Sequence, residues 1–137
     1  MLRPIILLLA CSGPICVDGH FASGDLRGFS CAKPETEVIT LDREVAVREI
    51  RGRAHKLDES GPPAAEVLVE IRPLEGRGEI LTARTDDRGR FKFKHMPPGR
   101  YQFKATLDGF KSVAGGIVVS PTAGKGSDIS LVMYLGR

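Results

Sequence analysis

Thr85-Asp86-Asp87-Arg88-Gly89-Arg90-Phe91-Lys92-Phe93, followed by Met96-Pro97-Pro98-Gly99-Arg100-Tyr101-Gln102-Phe103, is the stretch that decides the fold. A turn rich in Asp and Gly leads into alternating aromatic and basic residues. A Pro-Pro-Gly turn interrupts them, and the alternation resumes. Successive side chains of a strand point to opposite faces, so Phe91 and Phe93 share one face while Arg90, Lys92 and Lys94 share the other. The second run divides in the same way, with Tyr101, Phe103, Ala105 and Leu107 set against Arg100, Gln102 and Lys104. This pattern predicts a β-hairpin with an aromatic core face and a basic outer face. Packed on Val67, Val69 and Ile71, the aromatic face would supply much of the core, each large side chain contributing about 1.5–3 kcal/mol.

Outward from this stretch the hydrophobic pattern keeps period two from Val38 onward, punctuated by clusters of Gly, Pro or Asp. The expected strands are 47–57, 66–72, 80–85, 90–95, 101–107, 111–120 and 128–135. Ser60-Gly61-Pro62-Pro63, Gly76-Arg77-Gly78 and Leu107-Asp108-Gly109 supply turn chemistry between them. Residues 41–50 are the one stretch with helical spacing, and their Val and Ile content argues against a helix. The fold class predicted is all-β, a seven-stranded antiparallel β-sandwich.

A chain of 137 residues allows one domain, of roughly 100 to 120 residues once a targeting segment is set aside. The net charge of +3 does not by itself point to nucleic acid, and Trp is absent. Met1-Leu2-Arg3 followed by the apolar run Ile5-Ile6-Leu7-Leu8-Leu9 is too short to span a bilayer and reads as a secretory signal. Residues 1–19 are therefore assigned to a signal segment, 20–42 to a Gly- and Ser-rich leader or linker that also holds His20, and 43–137 to the sandwich.

Leu8-Leu9-Ala10-Cys11 resembles the lipobox of bacterial lipoproteins, which implies lipidation of Cys11 and leaves Cys16 and Cys31 to form a disulfide. Cleavage further on, near Gly19 or Ala22, would instead leave Cys31 as an unpaired thiol. Either way the protein is expected to be exported, secreted or anchored in the envelope, with a lipid anchor as its one link to a membrane.

Five groups of residues carry a family resemblance: Gly52-x-Ala54; Asp58-x-x-Gly61-x-Pro63-x-Ala65-x-Val67-x-Val69; Thr85-Asp86-x-x-Gly89-x-Phe91-x-Phe93; Met96-Pro97-Pro98-Gly99-x-Tyr101; and Asp108-Gly109-Phe110. Together, over residues 47–135, they resemble the carboxypeptidase regulatory-like domain. The resemblance implies a transthyretin-like, prealbumin-like sandwich that accompanies secreted or envelope proteins as a noncatalytic module. Its signature residues are turn and core residues, so it implies the fold and not the ligand.

Within that region, His55 to Val69 is similar to the opening segment of the hydroxyisourate hydrolases, which implies a catalytic role for His55, with Arg88 or Arg90 as the family's mid-chain Arg. That family also uses a late His and a Tyr-Arg-Gly-Ser tail, whereas this sequence has no His after His95 and reads Met133-Tyr134-Leu135-Gly136-Arg137. Intradiol iron dioxygenases share a related sandwich and use two Tyr and two His. Tyr101, Tyr134, His55 and His95 match that inventory but not its close spacing.

No Cys/His cluster suggests a metal site, and no nucleophile, base and orienting group are set together, so no cofactor and no catalytic residues are expected. The binding candidates are Arg90, Lys92, Lys94, Arg100 and Lys104, expected side by side on the outer face of the hairpin. Such a patch would suit an acidic polysaccharide, a phosphate-rich polymer or an envelope protein. A solvated face that keeps the domain soluble is the plain alternative. Nucleic acid is not expected, because no aromatic side chains interleave with the charges on that face. The sequence reading is thus an exported noncatalytic module for extracellular or envelope binding, with a structural spacer and a hydroxyisourate hydrolase as alternatives.

Overall fold

The computed structural model describes residues 26, 28–33, 37–75, 79–124 and 128–136. The expected signal segment, His20, Cys11 and Cys16 lie outside them. Nine strands are present among the described residues: β1 (Val38–Thr40), β2 (Val45–Val47), β3 (Ile50–Lys56), β4 (Leu68–Pro73), β5 (Leu81–Arg84), β6 (Arg90–Phe93), β7 (Gly99–Thr106), β8 (Ser112–Val119) and β9 (Ile129–Met133). They form a six-stranded sheet in the order β1-β8-β7-β4-β5, with β2 also on β8, and a three-stranded sheet in the order β6-β3-β9. The sandwich and all seven expected strands are present. The antiparallel expectation is corrected in part, since β1 and β2 run parallel to β8, and β3 runs parallel to β9.

The core lies between the sheets. Val69, Ile71, Tyr101, Phe103 and Ile117 face inward from the larger sheet, and Ile50, Phe91, Phe93, Leu131 and Met133 from the smaller one. Period two placed these residues correctly on core faces but misassigned their partners. β6 pairs with β3, and β7 with β4 and β8, so the predicted hairpin does not form. The two runs of aromatics look at each other across the core from opposite sheets. The connection through His95, at φ 57°, and Pro97-Pro98 carries the chain from one sheet to the other. Tyr101 turns its hydroxyl back to donate to the Pro97 carbonyl at 2.6 Å.

The turn before β6 forms as its residue types dictate. Asp86 Oδ1 accepts from the backbone N–H groups of Arg88 and Arg90, each at 2.9 Å, and Gly89 closes the turn at φ +76°. A Cβ at Gly89 would run into the Ala54 carbonyl oxygen, so the turn and its seat against β3 both require glycine. Thr85, 2% exposed, accepts from Val67 N–H at 2.9 Å and donates to the Ala64 carbonyl at 2.7 Å.

Within the expected leader of 20–42, described residues pack on the sandwich. Leu26 and Phe29 are buried with Ala114 on the outer face of the larger sheet, and β1 joins that sheet as an edge. Composition concealed this because two apolar anchors in an irregular strap leave no periodic signal. Ser30 donates its N–H and its hydroxyl to the Glu70 carboxylate at 2.9 and 3.1 Å, and the Phe29 ring lies 4.3 Å from the Arg72 guanidinium. Cys31 is disulfide-bonded.

Candidate functional site

The strap covers much of the outer face of the larger sheet and leaves the outer face of the smaller sheet open. The five basic candidates are divided accordingly. Lys104 is fully buried, and its ammonium donates to the Ser30 carbonyl at 2.8 Å, so it is a structural residue. Arg100 is exposed on the larger sheet and forms a close ion pair with Glu44 at 2.7 Å. Lys94 is exposed in the crossover beyond β6. Arg90 and Lys92 alone sit where a basic face remains. The expected five-residue patch is therefore corrected, because it required β6 and β7 to be paired.

The basic face that does exist is built from β3 and β6. The register sets Arg51 opposite Lys92 and Arg53 opposite Arg90, all four exposed. Like charges directly opposite each other destabilise a strand pair. The two rungs lie about 7 Å apart along the strands, two residues at the strand rise. Arg84 of β5 faces them across the edge of the sandwich, and together these five cations border an open cleft of about 610 Å³. Arg51 and Arg53 were not among the binding candidates, although alternation along Arg51-Gly52-Arg53 puts both on the outer face. Pairing of β3 with β6 is a long-range fact with no local signal.

Acidic groups at the rim neutralise one rung. Arg51 contacts Asp128 at 3.1 Å and Glu49 at 3.7 Å, and Lys92 contacts Glu49 at 3.9 Å. Arg90 has Asp86 Oδ2 at 3.7 Å, while Oδ1 of that carboxylate accepts from two backbone N–H groups. The hydrogen bond from Arg90 N–H, ahead of that from Arg88, holds the Asp86 carboxyl below its ordinary value despite the opposing desolvation. Arg53 makes no ion pair or side-chain hydrogen bond among the described residues.

The histidines and tyrosines do not converge. His95 follows Phe93, which pairs with Ile50, whereas His55 lies five residues further along β3, about 17 Å away at the strand rise. His55 is half-buried, with Nδ1 3.1 Å from the Gly61 carbonyl oxygen. The β9 position opposite it is Val132, which carries no base. Tyr101 is a core residue whose phenol burial pushes above its ordinary pKa, and Tyr134 is exposed at the other end of the molecule from His95. No group of three His, Cys, Asp or Glu suited to a metal occurs among the described residues.

A second cleft, of about 320 Å³, opens on the larger sheet beside Leu26, Leu41 and Leu74. Asp42 and Glu44 both line it, and Glu44 is paired with Arg100.

Comparison with known proteins gives one family. The model of the carboxypeptidase regulatory-like domain matches residues 49–133. No curated protein matches the chain. Among solved structures, a 3-chlorocatechol 1,2-dioxygenase from Rhodococcus opacus 1CP is similar at 17% identity and a TM-score of 0.43, over 97% of this chain and 77% of that one. A chlorocatechol 1,2-dioxygenase from Pseudomonas putida is similar at 15% identity and a TM-score of 0.45, over 98% of this chain and 77% of that one.

Proposed function

The chain belongs to the carboxypeptidase regulatory-like domain family, a regulatory and noncatalytic family, and from that premise we propose that it is an exported binding module which uses the outer face of its smaller sheet to hold an anionic polymer. The observation that carries this reading is the pair of like-charged rungs, Arg51 with Lys92 and Arg53 with Arg90. An arrangement that costs stability in the isolated domain gains a purpose when an anion lies across it. The dispersal of His55, His95, Tyr101 and Tyr134 supports a noncatalytic role. The disulfide at Cys31 supports export, since such bonds persist in oxidising compartments.

The test is retention of the purified domain on immobilised polygalacturonate at physiological ionic strength. Retention that is lost as salt is raised supports the reading, because screening weakens exposed charges. Passage in the void volume at physiological salt contradicts it.

A further inference from the structure

Resting on the anionic-polymer reading, we infer that binding is concentrated in one subsite, bordered by Arg53, Arg90 and Arg84, which takes a single oxyanion group of an acidic polysaccharide. The two rungs look equivalent in the sequence but differ in what surrounds them. The Arg51–Lys92 rung is bridged by Glu49 and capped by Asp128, so an incoming anion there must compete with carboxylates already in place. Among the described residues the Arg53–Arg90 rung meets a single carboxylate, Asp86, whose Oδ2 lies 3.7 Å from Arg90 while its Oδ1 accepts the two backbone N–H groups of the turn, and Arg53 has no carboxylate partner. Among the described residues the Arg84 side chain has a single hydrogen-bond partner, the Glu66 carbonyl oxygen, at the 3.5 Å limit of a hydrogen bond.

These three arginines thus border the same cleft, and among the described residues Asp86 is the one carboxylate paired with any of them. Arginine suits such a place, because its planar fork meets the two oxygens of a carboxylate, sulfate or phosphate in parallel hydrogen bonds.

The occupant follows from what the face lacks as well as from its charge. None of the exposed large hydrophobic residues lies in β3 or β6, whereas the centre of a protein-protein interface is enriched in aromatic and apolar anchors. A cleft of about 610 Å³ is open at the sheet edge and falls in the size range of small-ligand sites. A charged sugar unit within a longer chain fits that description, with neighbouring units leaving along the sheet.

The experiment is a calorimetric titration of the intact protein with oligogalacturonate, with a sulfated oligosaccharide of equal charge, and with a neutral cello-oligosaccharide. It is repeated on Arg53→Gln and Lys92→Gln, which remove one charge each from neighbouring exposed positions. The subsite predicts that Arg53→Gln weakens binding of the acidic probes at least tenfold, that Lys92→Gln weakens it less than threefold, and that the neutral probe does not bind. The two acidic arms distinguish carboxylate from sulfate as the preferred oxyanion, and selective loss on either supports the subsite.

Equal losses in the two variants overturn the subsite while leaving the anionic-polymer reading intact, because diffuse charge responds to any removed cation alike. Absence of binding to both acidic probes by the unaltered protein overturns both. Thermal denaturation of each variant checks that a loss is not one of folding.

Discussion

Lys104 donates a 2.8 Å hydrogen bond from its fully buried ammonium group to the carbonyl oxygen of Ser30, and so joins the larger sheet to the strap across its face. The same serine donates twice to Glu70, which stands opposite Lys104 in the β4–β7 register. A buried lysine and a buried glutamate thereby read the donors and acceptor of one residue.

Replacing Lys104 with Met keeps most of the apolar stem and removes the donor. The Ser30 carbonyl loses its charged partner, and a loss of about 1–3 kcal/mol is expected from the urea midpoint. Lys92→Met, at an exposed position, should change the same midpoint by less than about 0.5 kcal/mol.

Lys104 also shows how far the sequence could be read. Alternation assigns Lys104 to the face opposite Tyr101 and Phe103, and that is where it lies. What alternation cannot say is that the opposite face is covered by a distant segment, here the strap around Phe29. In the same way Phe91, Phe93, Tyr101 and Phe103 were legible as core residues, while their division between two sheets was not. Face membership is local and has a period. Strand partnership is set by long-range packing and has none, so the basic candidates were assembled on a hairpin that does not exist.

Thr85→Val is nearly isosteric and removes the hydroxyl that bridges Val67 N–H and the Ala64 carbonyl. Both backbone groups are left without that partner in a buried setting, and a loss of about 1–3 kcal/mol in chemical denaturation is expected. A change smaller than the error of the midpoint would show that the bridge contributes nothing.

Asp86 ties the β5–β6 turn through its carboxylate, and its folded pKa lies below the ordinary value of 3.8. A depressed pKa adds stability above the unfolded value and loses it as pH falls through the lower folded value. The melting temperature of the unaltered protein should therefore fall more steeply below about pH 4 than that of Asp86→Asn. Parallel curves for the two proteins across that acid range would contradict the role given to this carboxylate.

Cys31, next to Ser30 in the strap, is disulfide-bonded. Reduction under native conditions should lower stability by about 2–4 kcal/mol, read as a drop in melting temperature on adding a strong dithiol reductant. Cys31→Ser should show the same lowered value and no further response to reductant.

The most direct test of the central claim is salt-dependent retention on polygalacturonate of the charge-reversed pair Arg53→Glu and Arg90→Glu. The comparison is a matched pair, Lys33→Glu and Arg43→Glu, at exposed positions outside the β3–β6 face. The account predicts that the first pair abolishes retention at physiological ionic strength while the second retains most of it, both proteins melting close to the unaltered one. Equal retention by the two pairs would contradict it.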